Sequence, residues 1–230
     1  AARPRAHRRF QPRAGTARDR VQRHHRRDGQ QTAALREGVG EFVIAVALQA
    51  AHGEIGLVQP HGPAPVAPRE LGVAAVDFLG LPDQGLEDTP AFREKIVRVI
   101  RQYRPHTVVT SDPYRRYVWH RDHRIAGQVV LDAVFPYARD HLAYPDMLAE
   151  GLEPHKVQEL LFWAAEDVNY RSDITATFAL KLAALRCHAS QVRELGISNL
   201  EDWLRQRCRS MAEGEPFELA ESFHRVELPR

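Results

Sequence analysis

The stretch Thr89-Pro90-Ala91-Phe92-Arg93-Glu94-Lys95-Ile96-Val97-Arg98-Val99-Ile100-Arg101-Gln102-Tyr103-Arg104-Pro105-His106-Thr107-Val108-Val109-Thr110 decides the fold. Thr89 can cap a helix, and Pro90 suits the first helical position, where its missing N–H would have no partner. Phe92, Ile96, Val99, Ile100 and Tyr103 then fall on one face at helical spacing, and Pro105 ends the helix. Thr107 to Thr110 is a short β-branched run, the pattern of a buried strand. Upstream, Val73 to Leu79 is a similar apolar run, followed by the turn-rich Gly80-Leu81-Pro82-Asp83-Gln84-Gly85. Strand, helix, strand predicts a βαβ unit with a right-handed crossover and parallel pairing.

Further along, Asp122 reads as the N-cap of a helix carrying Ile125, Val129, Val130 and Val134. Leu160–Trp163 reads as a strand and Tyr170–Ile174 as a short one. Thr175–His188 is helical, with Phe178, Leu182 and Leu185 on one stripe, and Leu200–Met211 is a last amphipathic helix. This alternation is the signature of the α/β class. Before it, Phe42–Leu48 fits a buried strand or helix segment, and Pro60–Pro68 is a proline-rich loop.

A chain of 230 residues, 43% hydrophobic and 27% charged, is expected to form one globular domain. The longest apolar run, Phe42–Ala51, is about half of what a bilayer crossing needs, and the start lacks the pattern of a secretory signal. Cys187 and Cys208 form no C-x-x-C pair or disulfide framework, so a cytoplasmic location is expected. Residues 1–36 hold eleven arginines against Asp19 and Asp28, a local charge of +9 in a chain of net charge +2. With Phe10 as their one aromatic residue they cannot pack a core. A nucleic-acid arm is one reading, but no aromatic interleaving or recognisable binding module accompanies the arginines, so nucleic acid is not the expected partner.

Chemistry concentrates after the Thr107–Thr110 strand, in Thr110-Ser111-Asp112-Pro113 and Tyr117-Val118-Trp119-His120-Arg121-Asp122-His123. In open α/β sheets, sites form outside the carboxyl ends of parallel strands. Asp112 falls just past that end, His120 on the loop before the next helix, and His123 in its first turn. Two imidazoles and a carboxylate there suit metal binding or general acid–base work. On spacing alone, H-x-x-H in a chain with 12 histidines is more commonly a surface or core pair than a pair of ligands.

The residues from Arg69-Glu70-Leu71-Gly72-Val73 through Phe78-Leu79-Gly80-Leu81-Pro82-Asp83 resemble a stretch common in PIG-L/LmbE-type de-N-acetylases. So do Asp112-Pro113, His120-Arg121-Asp122-His123, and Ala184 through His188-Ala189-Ser190-Gln191. The resemblance divides the chain into an atypical basic and irregular segment, 1–68, and an incomplete de-N-acetylase domain, 69–230. It implies an α/β, Rossmann-like fold with a mostly parallel sheet flanked by helices, and a Zn²⁺-dependent hydrolase acting on an N-acetylglucosamine-type conjugate. It implies His123 as a zinc ligand. His120 corresponds to a histidine steadying the oxyanion or protonating the leaving amine, and Asp112 to a carboxylate of the same loop. The expected partner is thus a small amino sugar, with no membrane span and self-association left open. An amidase on a related conjugate, a non-catalytic sugar-binding module and a basic-armed nucleic-acid binder are the alternatives. Asp83 reads as a turn former rather than a substrate ligand, His188 as helix packing rather than chemistry, and Arg115, Arg116 and Arg121 as solvated, with substrate contact left open.

Family members open with A-H-P-D-D, whose histidine and second aspartate bind zinc and whose first aspartate is the general base. This chain has Ala6-His7-Arg8-Arg9-Phe10 instead, with Arg9 and Phe10 where the aspartates belong. An arginine there would repel a dication, and catalytic zinc needs three protein ligands. Read one base forward, however, the codon junctions of Arg5 through Gln11 can encode Ala-His-(Thr/Ile)-Asp-Asp-(Phe/Ser). The same shift through Arg23 to Gln31 permits Val-Ile-Ile-Val and then Thr-Gly-Ser-Lys, a strand and a glycine turn. An out-of-frame message is therefore the expected origin of the segment's composition.

Overall fold

The computed structural model describes residues 71–73, 75–194 and 196–229, together with two strands, β1 (Val43–Ala45) and β2 (Glu54–Ile55). The basic arm expected over 1–36 lies outside the described residues. So does most of the 37–68 segment, although its Phe42–Leu48 run does contain β1.

Five strands make the main sheet, in the order β1, β4 (Thr107–Ser111), β5 (Glu159–Trp163), β7 (Ala220–Glu227), β6 (Tyr170–Asp173). The β1–β4 and β4–β5 pairings are parallel, and β5–β7 and β6–β7 are antiparallel. Helices complete the α/β domain: α1 (Pro90–Tyr103), α2 (Arg121–Asp132, running on through a π-helical turn at Ala133–Tyr137), α3 (Pro145–Ala149), α4 (Phe178–Arg186), α5 (Ala189–Glu194) and α6 (Leu200–Met211).

None of the described residues of the run Val73–Leu79 lies in the strand that its composition predicts. Val73 and Phe78 are largely exposed, and pairing begins only at β3 (Leu81–Pro82), antiparallel to β2. The parallel partner of β4 on that side is β1, so the edge of the sheet comes from further upstream. The longest of the described strands, β7, is not among those the sequence pattern predicts. Its Ala220-Glu221-Ser222-Phe223-His224-Arg225-Val226-Glu227 has no run of apolar residues, and between β5 and β6 it buries only Ala220 and Phe223.

The α1 helix follows its sequence signals. The Thr89 hydroxyl accepts the Phe92 N–H at 3.2 Å, Pro90 opens the helix, and Arg104 closes it in the left-handed conformation with its N–H on Ile100 O. Phe92, Ile96, Val97 and Ile100 are buried against Val108 of β4, Leu160 and Phe162 of β5, and Val129 and Val130 of α2. Burying such side chains is worth about 1.5–3 kcal/mol each, which holds α1 and α2 against the parallel half of the sheet. A second cluster joins Phe178 and Leu182 of α4 to Leu204 and Cys208 of α6 and to Leu219, beneath the antiparallel half.

Candidate active site

The carboxyl end of β4 is the platform. Asp112 N donates to Trp163 O at 3.1 Å, which carries the β4–β5 ladder one residue past the strand. The chain then turns sharply: an Asp112 side-chain oxygen accepts the Tyr114 N–H at 2.8 Å, the local bonding that favours aspartate in turns.

The α2 helix sits directly on this strand end. Ser111 Oγ donates to His123 O at 2.6 Å. A Cβ at Gly127 would lie 2.3 Å from Ser111 O and 3.0 Å from Pro113 Cδ, so only glycine admits this approach. That contact fixes how far the first turn of α2, and hence His123, stands from Asp112.

Asp122 is not the cap predicted for α2. His120 is the N-cap, its Nδ1 accepting the Asp122 N–H at 3.2 Å. Asp122 is instead 1% exposed, and its carboxylate accepts Gln84 N at 2.6 Å and Leu86 N at 3.3 Å. The reason is the turn Pro82–Gly85, closed by Gly85 N to Pro82 O at 3.3 Å, which brings two backbone donors over the helix start. They take the carboxylate away from its own helix, and an imidazole nitrogen does the capping. Arg121, read as solvated, also joins this latch by donating to Leu86 O. Asp83 lies within the turn, in the turn-forming role expected of it.

The two imidazoles are neighbours, their centroids 5.3 Å apart at an interplanar angle of 52°. His120 is exposed. Because its Nδ1 accepts a hydrogen bond, its proton resides on Nε2, which is free to donate. His123 is half-buried and boxed by two indoles: Trp119 at 4.8 Å and 90°, and Trp163 at 5.1 Å and 73°. Burial, and secondarily the His120 ring, lower its pKa, while Asp122 opposes the shift. His123 is therefore neutral at neutral pH. Its Nδ1 is buried without a hydrogen-bond partner.

Asp112 shares the strand end with His123 but is bonded to its own loop. Trp119 Nε1 donates to Asp112 O at 3.0 Å, so the indole is what connects Asp112 to His123. Neither tryptophan was given a role from sequence. The available signal for Trp163 was its place at the end of β5, opposite Ser111 in the register.

An orphaned nitrogen on a neutral ring is a suitable donor to a divalent cation. Among the described residues, however, no three His, Cys, Asp or Glu side chains gather to hold one. The described residues thus offer one ligand and do not fit a complete catalytic zinc site.

Fold and site define an α/β protein with a histidine pair at the mouth of a parallel strand. Residues 64–134 match the family model PIG-L, described as GlcNAc-PI de-N-acetylase, and that segment includes Asp112, His120 and His123. Over 124 residues the chain is 38% identical to a diacetylchitobiose deacetylase of Thermococcus kodakarensis, covering 54% of this chain and 46% of that protein. It is 29% identical over 157 residues to a 1D-myo-inositol 2-acetamido-2-deoxy-alpha-D-glucopyranoside deacetylase of Mycobacteroides abscessus, covering 54% and 56%. The solved N,N'-diacetylchitobiose deacetylase of Pyrococcus horikoshii superposes with a TM-score of 0.64 at 26% identity, over 70% of this chain and 61% of that one. The PIG-L match over residues 64–134 and these deacetylase similarities agree with the resemblance read from the sequence. The chain spans about half the length of the curated relatives it matches.

Proposed function

We propose that this domain binds an N-acetylated amino sugar and belongs to an amide hydrolase that removes the acetyl group. The observation that carries the reading is the His120–His123 pair at the end of β4, inside the segment that matches the family model. The relatives' names, both deacetylases of N-acetylated sugars, support the substrate class.

His120 is the group suited to steadying developing charge. With its proton on an exposed Nε2, it can donate a hydrogen bond to the amide oxygen as charge develops there. The cap bond to Asp122 N–H fixes both tautomer and ring direction. His123 stays neutral in its indole box and presents a lone pair. In our reading it is one ligand of a zinc ion that would polarise the amide carbonyl when bound. The other ligands and the general base do not come from the described residues, so activity in the chain as written is impaired. Asp112 shapes the loop through its bond from Tyr114 N–H.

The test compares two proteins: the chain as written, and the same chain with 1–31 re-encoded one base forward. Both are incubated with zinc and N,N'-diacetylchitobiose while acetate is measured. Release by the second alone is expected, with loss on His120→Ala. A folded, zinc-loaded second protein that releases no acetate would refute the hydrolase reading. Sequencing of the encoding DNA checks the frame separately: a reading one base forward from the Arg5 codon that lacks His-x-Asp-Asp ends the out-of-frame account.

A further inference from the structure

Between Pro113 and His120 the chain places three large apolar side chains in water: Tyr114 is 67% exposed, Tyr117 89% and Val118 91%. Single exposed apolar residues are ordinary, but three within five residues at the rim of a site mark a contact surface. Their exposure is built, because the arginines between and beside them tie the loop down. Arg115 stacks on the Trp119 ring at 4.6 Å, and Arg116 pairs with Glu166 at 2.7 Å. Arg124, next to His123 in α2, donates to Tyr117 O at 3.5 Å. Tyr117 itself adopts φ +62°, an unfavourable conformation for a bulky residue. The loop is anchored through its charged residues, while among the described residues no partner covers the tyrosine rings.

We propose that Tyr114 and Tyr117 form a stacking platform for a second pyranose ring, joined to the N-acetyl sugar at the histidine pair. The inference rests on the amino-sugar reading above and extends it to a specificity-determining surface. A tyrosine offers a flat apolar face for the C–H side of a sugar ring and a hydroxyl for its oxygens. Both tyrosines lie on the loop that joins the strand end to His120: the Tyr114 backbone N–H bonds the Asp112 carboxylate, and Tyr117 precedes His120 by three residues. A neutral disaccharide therefore lies with its N-acetylated ring at His120 and its neighbour on the tyrosines.

Ligand-observed NMR titration of the full chain with N-acetylglucosamine and with N,N'-diacetylchitobiose tests this. The disaccharide is expected to bind about tenfold more tightly than the monosaccharide, the gain one well-stacked ring can supply. Tyr117→Asn, which tolerates the left-handed backbone, and Tyr114→Ser should each erase most of that preference and leave monosaccharide affinity unchanged. Equal affinities in the unaltered protein, or a preference that survives both substitutions, overturn the platform while the amino-sugar reading stands. Binding of neither sugar overturns both. A change of oligomeric state in the variants, with the sugar preference intact, assigns the tyrosines to contact between copies of the chain and also overturns the proposal.

Discussion

Gly127→Ala should destabilise the domain even though alanine is the better helix former. In an open helix the change would gain about 0.8–1.0 kcal/mol. Here the new methyl would sit 2.3 Å from Ser111 O and about as close to Pro113 as 3.0 Å, and the first of these neighbours is backbone. Relief requires α2 to move away from β4 by roughly an ångström, and overpacking of this kind costs about 1–3 kcal/mol. The same movement stretches the 2.6 Å bond from Ser111 Oγ to His123 O, worth a further ~1 kcal/mol. Propensity is outweighed, and the net loss comes to roughly 1–3 kcal/mol. For a domain of this size that lowers Tm by about 2–4 °C per kcal/mol. Urea and thermal unfolding followed by tryptophan fluorescence measure it, with Ser111→Ala as a companion expected to cost only the hydrogen bond. Gly127→Ala equal to or more stable than the parent would refute the claim that glycine is what seats α2 on the strand end.

Removing the Asp122 carboxylate with Asp122→Ala leaves the Gln84 and Leu86 N–H groups without their acceptor. A loss of about 2–4 kcal/mol is expected in chemical denaturation, with Asp122→Asn intermediate. His155 is lowered in pKa chiefly by burial, against the opposing pull of its bond to Pro105 O. The unfolded chain therefore binds its proton first as pH falls. Stability is full above about pH 6.5, declines as pH drops from there toward the folded value, and declines less in His155→Gln when denaturation is followed across pH. Finally, the chain as written should lose zinc on dialysis, since the described residues offer one ligand; one tightly held zinc per chain by metal analysis would show that further residues complete the site.

The parts of the fold legible in sequence were those stated locally. Thr89, Pro90 and Pro105 delimit α1 because capping and proline chemistry act within a turn of the residue concerned. The limits of α6, Leu200 and Met211, follow from its amphipathic pattern for the same reason. What misled were elements whose state depends on distant partners. The Val73–Leu79 run has strand composition, but β1 occupies the place beside β4 that the run would need. Asp122 has capping chemistry, but the turn at Pro82–Gly85, 36 residues and more away, offers it two better-placed donors.

The candidate site divides along the same line. The placing of His123 in the first turn of a helix after a strand end was local and legible. What holds its ring was not. Trp119 is brought in by its bond to Asp112 O, and Trp163 by the β4–β5 register, so the indole box exists only once the sheet has formed. The chemical state of the pair follows from these non-local contacts: burial beside the indoles keeps His123 neutral, and the displacement of Asp122 from the cap makes His120 an Nδ1 acceptor with its proton on Nε2. A neutral lone pair and an adjacent N–H donor are complementary tools for holding an electrophile and for hydrogen-bonding the oxygen on which charge develops. They are supplied entirely by packing within the described domain and need no metal to hold them in place. An incomplete ligand set therefore leaves the geometry of this half intact, which is why restoring the missing ligands, without altering any residue of the pair, is the change expected to produce turnover.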